Sequence, residues 1–450
     1  MGKNAVGLQE HAMDKKLIEN AWVVTLDGER PVLEKGKILV EGEKIAAVGA
    51  DVKAPEGCER FDASGLVAVP GLINAHHHLY SSLARGFCPP GEPASNFVEI
   101  LERLWWKLDL ALDAEGVRYS SLVALVEAIK TGCTTLIDHH ASPSCTDGSL
   151  DVLEETIREA GLSACLCYET SDRNRVGDGV EENARFIKKS QAGDGQVTAL
   201  FGLHAQMTLG DGTLEAVAAA CKETGAGVHV HIAEGIADEE DCLAKHGCRV
   251  VQRLHKWGLT GKGSIFVHGI HIDESEMDLL AETGTMMVHN PESNMNNAVG
   301  TQPMLRLLEK GILLGLGTDG MTSHMISSAR TAHLLQRASR GDPRVAFVEA
   351  CQMLLENNAA IAGRCFPAPR GKIAAGQLAD IAFFRYSPTT PLEEGRIYGH
   401  YLYGLNFAPV DSTMARGRFL MKGGRLLTLD EEEIAAKARE CARATWARIH

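Results

Sequence analysis

The sequence predicts an α/β fold, a (β/α)8 TIM-like barrel with a small β-sandwich built from both chain ends, and three observations predict it. Short Val/Ile/Leu-rich runs alternate with longer helix-period patterns through the middle of the chain, the mark of a parallel sheet. Eight such runs fall within about 300 residues, which suits a closed barrel better than an open sheet. The two ends hold further β-type runs with Gly-containing turns, each too short to bury a sheet face alone.

Taken in order, residues 1–69 form the first part of the sandwich, with WVVTL, KILVEG and KIAAVG as its strands. The barrel follows over 70–370. Its expected strands are 66–76, 134–140, 163–170, 197–206, 228–234, 264–268, 285–290 and 312–319. A helix is expected over 117–130, where Leu122, Leu125, Val126 and Ile129 repeat at i, i+3, i+4 and i+7 and Gly132 follows. Another starts at Asp273, with Glu276 completing a capping box, and closes before Gly284. Residues 87–96 (FCPPGEPASN) make a Pro/Gly-rich loop long enough for a lid. Residues 371–450 return to the sandwich through LADIAFF and GRFLMKGGRLLTL, with Gly423-Gly424 as the hairpin turn. A terminal helix is expected over 430–450, acidic in its first turn as the helix dipole prefers.

Composition narrows the function classes. The chain of 450 residues is 45% hydrophobic and 23% charged, the balance of a globular protein. No apolar run approaches the roughly 20 residues of a membrane span, so no membrane partner is expected. MGKNAVGLQEHAMDKK carries no apolar h-region and reads as no secretory signal. A net charge of −14 argues against nucleic acid as a partner. The 12 cysteines are scattered without a C-x-x-C, which excludes a zinc ribbon and points to free thiols in a reducing cytoplasm. Cys165 and Cys167 read as strand alternation.

The 18 histidines are unevenly placed. His76, His77 and His78, then His139 and His140, His204, His229 and His231, His268 and His271, and His289 all fall at or near strand ends. In a barrel those ends converge on the face that carries the active site. His76 and His78, at i and i+2 in an extended strand, point to one side, and His77 points away. With His231 and the Asp319 of GLGTDG they make three imidazoles and one carboxylate. That set suits one divalent ion, Zn²⁺ first and Fe²⁺ second, with a position left open for water.

PGLINAHHH, VHIAE, VHGIH, HNPESN and GLGTDG, in this order and spacing, resemble the amidohydrolase superfamily, in the deaminase and chlorohydrolase branch that acts on guanine, triazines and related heterocycles. GKIAAGQLADIAFF, with Asp380, resembles the segment by which that family re-enters its sandwich. Within the branch, HHHLYSSLARG, HNPESNMNNAVG and TDGMTSHM are most similar to the SsnA group of aminohydrolases, associated with purine catabolism. The resemblance implies metal ligands at His76, His78, His231 and Asp319, a proton-transfer acid at Glu234 and the strand-six histidine at His268. Two-metal members carry a bridging Lys on strand four. Here 197–208 holds no Lys and has His204, which implies a mononuclear site with His204 as a substrate contact.

The implied reaction is deamination of a purine- or pterin-like aminoheterocycle by hydroxide generated at the metal. Asp319 would take the water's proton, Glu234 would protonate the ring nitrogen and His268 would stabilise the oxyanion. Hydrolytic opening of a cyclic amide or amidine is the alternative, and dehalogenation a variant in which Glu234 has less to do. A metal-free scaffold is the non-enzyme reading, and the full ligand set argues against it. A small heterocyclic substrate and a homodimer follow from the resemblance.

Other residues have two readings each. Glu169, Ser171 and Arg173 follow strand three and either read the substrate's polar edge or form a loop ion pair. Asn290, Ser293 and Asn294 read as turn-forming first. His271 already lies beyond its strand, while His324 follows strand eight near the pocket. Trp105 and Trp106 either stack on a planar substrate or pack. The substrate contacts expected are His204, Glu169, Arg173 and His324.

Overall fold

A computed structural model describes residues 15–28, 31–173 and 176–449. Residues 1–14 of the expected first segment and His450 of the expected terminal helix lie outside them. Five strands come first: β1 (Lys15–Val24), β2 (Val32–Glu41), β3 (Lys44–Gly49), β4 (Glu59–Asp62) and β5 (Leu66–Pro70). The central strands follow as β6 (Leu72–His77), β7 (Cys133–Asp138), β8 (Ser163–Leu166), β9 (Val197–Ala199), β10 (Phe201–Ala205), β11 (Val228–Ile232), β12 (Ile265–His268), β13 (Met286–His289) and β14 (Leu314–Leu316). The chain closes with β15 (Ile381–Arg385), β16 (Val410–Ala415), β17 (Arg418–Lys422), β18 (Arg425–Leu426) and the helix Glu431–Ala447.

Strands from both chain ends share one sheet. It is a single nine-stranded sheet in the order β18-β17-β16-β15-β5-β1-β2-β3, with β4 paired to β1. β15 pairs antiparallel with β5, so the C-terminal strands continue the N-terminal ones without a seam. The sheet folds over itself: the Phe61 ring of β4 lies 4.8 Å from Phe419 of β17 and 5.4 Å from Phe383 of β15. Ile18, Val23, Ile38 and Met414 fill the same cluster.

The central strands form two parallel arcs, β6-β7-β8-β9 and β10-β11-β12-β13-β14. Single parallel bridges link the arcs, Thr170 beyond β8 to Leu203 of β10 and His77 of β6 to Asp319 beyond β14. Ile73, Ala75, Ile137 and Cys165 from one arc and Ile265, Val267, Met286 and Val288 from the other share one buried cluster. Two expected strands are divided. The run 66–76 changes sheets at Gly71, whose amide donates to Asp380 O at 2.8 Å. The run 197–206 breaks at Leu200, so that β9 pairs with β8 and β10 with β11.

Helices pack outside. Ala114–Lys130 buries Leu122, Leu125, Val126 and Ile129 as its periodicity predicts, capped by Asp113 on the Gly116 amide. Glu274–Thr283 shows both halves of the Asp273–Glu276 capping box. The terminal helix is capped by Asp430 and reaches back to the first arc, Trp446 Nε1 donating to Leu83 O at 2.8 Å. Residues 87–96 are an exposed loop, while the helical turns after it, Phe97–Ile100, Leu101–Trp105 and Trp106–Ala111, roof the cleft described below. Among the described residues no helix is long and apolar enough to cross a membrane.

Gly71 is the hinge between the two units, and a Cβ there would lie 2.3 Å from Thr134 Oγ1. Gly71→Ala is therefore expected to destabilise the protein by about 1–3 kcal/mol, the range for overpacking a tight core. A fall in the urea midpoint at unchanged m-value would register it. An unchanged midpoint would mean that Thr134 yields freely.

Candidate metal centre and active site

The centre is built at the ends of β6, β11, β12 and β14. Ile73 and Ala75 face the shared inner cluster, and the pairing of β6 with β7 then slips between Asn74 and His77. A bulge of this kind re-aims the residues beyond it. His76 and His78 emerge on one side, as their spacing predicts. His78 Nε2 lies 3.0 Å from Asp319 Oδ1 and 3.3 Å from His231 Nε2, and His76 Nε2 lies 3.7 Å from the same Asp319 oxygen.

Their other ring nitrogens are already engaged. His78 Nδ1 donates to His139 O at 2.5 Å and His231 Nδ1 to His204 O at 3.0 Å. His76 Nδ1 meets His229 Nε2 at 2.9 Å. A ring that donates from Nδ1 keeps its Nε2 lone pair free for a metal. The fit to a divalent cation is tested by what is left over. His76 Nε2 and His268 Nε2 are buried without a hydrogen-bond partner among the described residues. His76, His78 and Asp319 offer ligand atoms all within 4.8 Å of one another, as do His76, His231 and His268. Nitrogen and carboxylate donors converging in this way match the donor set of a divalent metal.

The acid–base groups adjoin that cluster. Asp319 Oδ2 accepts from Ser293 Oγ at 2.7 Å, and His268 Nε2 lies 3.6 Å from Asp319 Oδ2 and 3.4 Å from Glu234 Oε2. His268 Nδ1 donates to Asn294 Oδ1 at 2.8 Å, and Asn297 Nδ2 donates to Glu234 Oε1 at 3.2 Å. Ser293, Asn294 and Asn297 belong to the short helix Pro291–Asn296 and its cap. One helical turn thus orients Asp319, His268 and Glu234, so HNPESN does more than turn the chain. Burial, reinforced by Asp319, holds the Glu234 carboxyl well above its usual range. Ala233, His268 and Asp319 all take positive φ, 44°, 69° and 56°. Such backbone strain, about 1–3 kcal/mol each, gathers at functional sites.

The remaining expected residues divide. His204 and Glu169 line the cleft. Arg173 stands behind its wall, donating from Nη2 to Glu169 Oε1 at 3.0 Å and Asp109 Oδ2 at 3.2 Å, with its guanidinium 4.5 Å over the Trp106 ring. Trp105 and Trp106 both line the cleft. His324 is absent from that wall: its Nδ1 accepts from the Ser327 amide and caps the helix Met325–Arg340. His271 binds Val299 O, and His77 binds Asp319 O, away from the centre. Sequence reasoning missed Asp109, His229 as the partner of His76, and Asn297. The i, i+4 spacing of Ser293 and Asn297 was the available signal for the last.

The profile of the amidohydrolase family matches residues 67–420. A 5-methylthioadenosine/S-adenosylhomocysteine deaminase of Desulforudis audaxviator is 31% identical, over 95% of this chain and 98% of its own. A 5'-deoxyadenosine deaminase of Methanosarcina mazei is 30% identical, over 96% and 99%. Two solved structures share the fold. An adenosine deaminase from Xanthomonas campestris with bound zinc superposes with a TM-score of 0.84 at 24% identity, covering 96% of this chain and 98% of that one. The zinc complex of an atrazine chlorohydrolase from Arthrobacter aurescens gives 0.82 at 22% identity, covering 95% and 100%.

The geometry sets apart histidines whose ring nitrogens converge on Asp319 from those engaged elsewhere. His231→Ala and Asp319→Ala proteins are expected to retain well under one equivalent of divalent metal, whereas His271→Ala and His324→Ala retain as much as the wild type. Elemental analysis of proteins with matched circular dichroism checks this. Metal kept by the first pair, or lost by the second, would contradict the assignment.

Proposed function

This chain belongs to the amidohydrolase family, and from that premise we propose that it is a metal-dependent aminohydrolase releasing ammonia from a purine- or pterin-like heterocycle, with a 6-aminopurine nucleoside as first choice. The observation that carries this reading is the convergence of His76, His78, His231 and Asp319 with Glu234 and His268 in one cluster, of which His78, His231, Glu234 and Asp319 line the cleft. The names of relatives similar over nearly the whole chain support the substrate class. The resemblance to the SsnA group, and with it a place in purine catabolism, rests on loop motifs alone.

On this reading His76, His78, His231 and Asp319 hold one Zn²⁺, with Fe²⁺ the second choice; the zinc in related folds supports it. A divalent metal, when bound there, lowers the pKa of water towards about 7. The chain's own groups do the rest. Glu234, kept protonated by burial, delivers its proton to the ring nitrogen beside the amino-bearing carbon, with Asn297 fixing Oε1. His268, donating from Nδ1 to Asn294, presents Nε2 as an acceptor. It shares the attacking water's proton with Asp319 Oδ2 and, once charged, stabilises the developing oxyanion. The Ser293 hydroxyl orients Asp319 Oδ2 for that transfer. The amine then leaves as ammonia with a proton passed on from these groups.

The same reading takes the two arcs as one closed (β/α)8 barrel over 70–370. The two bridges between the arcs and the shared inner cluster support it. Residues 1–69 and 371–450 form the accompanying unit. Free thiols at all twelve cysteines support a cytoplasmic enzyme. A homodimer is carried over from the family resemblance.

Ammonia release over a panel of aminopurines, pterins and their nucleosides tests the reaction. Chelation is expected to abolish it and Zn²⁺ to restore it. Glu234→Gln is expected to lower kcat by about 10²–10⁴, the usual span for a lost general acid, with metal content unchanged. A ring-opened carboxylate without ammonia, or a Glu234→Gln enzyme of wild-type rate, would overturn the reading.

A further inference from the structure

The three imidazoles of the centre are not held alike. His78 and His231 donate from Nδ1 to backbone carbonyls, which a side-chain substitution cannot remove. His76 Nδ1 has one partner among the described residues, and it is a side chain. His229 Nε2 lies 2.9 Å away, with the two rings edge to face at 4.9 Å. Either nitrogen of such a pair can carry the shared proton, and the far edge of the His229 ring decides which. His229 Nδ1 lies 3.7 Å from Cys167 Sγ, and the Asp138 carbonyl borders the same edge. Cys167 Sγ in turn has Asp138 O at 3.4 Å, an oxygen that can only accept. With the thiol proton directed at that oxygen, the sulfur is left to accept, so the proton on His229 belongs to Nδ1. A ring protonated only at Nδ1 offers a lone pair at Nε2. His76 then donates from Nδ1 and keeps Nε2 for a cation, the atom that is buried without a hydrogen-bond partner among the described residues. His76, His229 and Cys167 are all fully buried.

We propose that His229 is a positioning residue of the metal centre, its Nε2 accepting from His76 Nδ1 and so fixing the tautomer in which His76 can bind a divalent cation. Cys167 and the Asp138 carbonyl set the tautomer of His229 in turn. The relay crosses the molecule: Asp138 ends β7, Cys167 follows β8, His229 lies in β11 and His76 in β6. Cys167 therefore does more than alternate along a strand. With the proton of His229 on Nε2 instead, His76 would accept at Nδ1 and carry its hydrogen at Nε2, where it blocks a ligand bond. The inference rests on the metal site of the proposed function but not on which bond is hydrolysed. Removing a partner of this kind, outside the ligand set, changes metal affinity by about 10–100-fold.

Zinc affinity of the full chain, measured by competition with a chromophoric chelator, tests the relay. Three variants differ in what they offer His76. In His229→Gln the side-chain amide reaches the place of Nε2 and presents an oxygen there. In His229→Asn it reaches only the place of Nδ1, and in His229→Leu no acceptor remains. The Asn and Leu proteins are expected to bind Zn²⁺ about 10–100-fold more weakly than the wild type, and the Gln protein close to it. Leu fills more of the ring's volume than Asn yet shares its defect, so lost packing alone does not rank the three this way. Circular dichroism and the urea midpoint identify the folded proteins, and if Leu does not fold, the comparison of Gln with Asn carries the test. Wild-type affinity in the Asn and Leu proteins, or a Gln protein as weak as they are, overturns the proposal. A wild-type chain without a tight zinc site overturns it together with the metal reading. Failure of the deaminase reading looks different: no aminopurine yields ammonia, while the order of zinc affinities persists.

Discussion

Lone pairs aimed at one another inside a buried centre are the constraint on which this structure turns. Around His76 Nε2, buried without a hydrogen-bond partner among the described residues, gather His78 Nε2, His231 Nε2 and an Asp319 oxygen. Burial drives the His76 ring down to about 3, so it stays neutral and keeps the lone pair that a metal needs. The hydrogen bonds on the far side of each ring allow this arrangement. Backbone carbonyls of His139 and His204 hold two imidazoles, and His229 holds the third. The His139 and His204 carbonyls come from the end of a neighbouring parallel strand, whereas His229 reaches across from β11 to His76 in the other arc. The pairing of the arcs and the aim of the ligands are therefore one fact.

The strain at the strand ends has the same origin. A strand that stops at the centre must turn sharply to place Glu234, His268 or Asp319, and the turn falls in the left-handed region at Ala233, His268 and Asp319. Side chains hold those turns in place. Asp238 accepts from the Ala233 amide at 2.9 Å and from the Met207 amide at 2.9 Å, clamping the turn before Glu234 to the end of β10. Gly317 lies so near that a Cβ would sit 2.7 Å from His76 O and 2.4 Å from Asn290 Oδ1. The close approach brings Asp319 alongside His76, whose carbonyl accepts from both the Thr318 and the Asp319 amides. Small residues and buried acceptors thus sustain a backbone that its own torsions disfavour.

The converging histidines and Asp319 were legible because each sits at a fixed offset within one strand end, where local spacing decides direction. His76 and His78 needed only the period of two. Gly71 was not legible, since an apolar run looks the same whether or not it changes sheets midway. The break at Leu200 escaped for the same reason. Arg173 was placed in the right loop, but only the distant Asp109 and Trp106 decide that it faces them rather than the cleft. His324 shows the converse. A residue just after a strand end reads as a pocket wall, yet here it precedes a helix by one position, and the orphan amide of Ser327 claims its ring.

The roof is where irregular backbone matters most. Two adjacent tryptophans on a regular helix point about 100° apart, and packing would claim one of them. Between Phe97 and Ala111 the chain winds through a wider turn, Leu101–Trp105, with five residues to the turn before α-helix resumes at Trp106. Both indoles then reach the cleft, and Asp109, one turn further on, arrives beside Glu169. Arg173 stacks on Trp106 and binds Asp109, so the roof is fastened to the loop after β8 by charge and by ring contact together. Asp109 is thus held to the loop after β8 by its ion pair with Arg173.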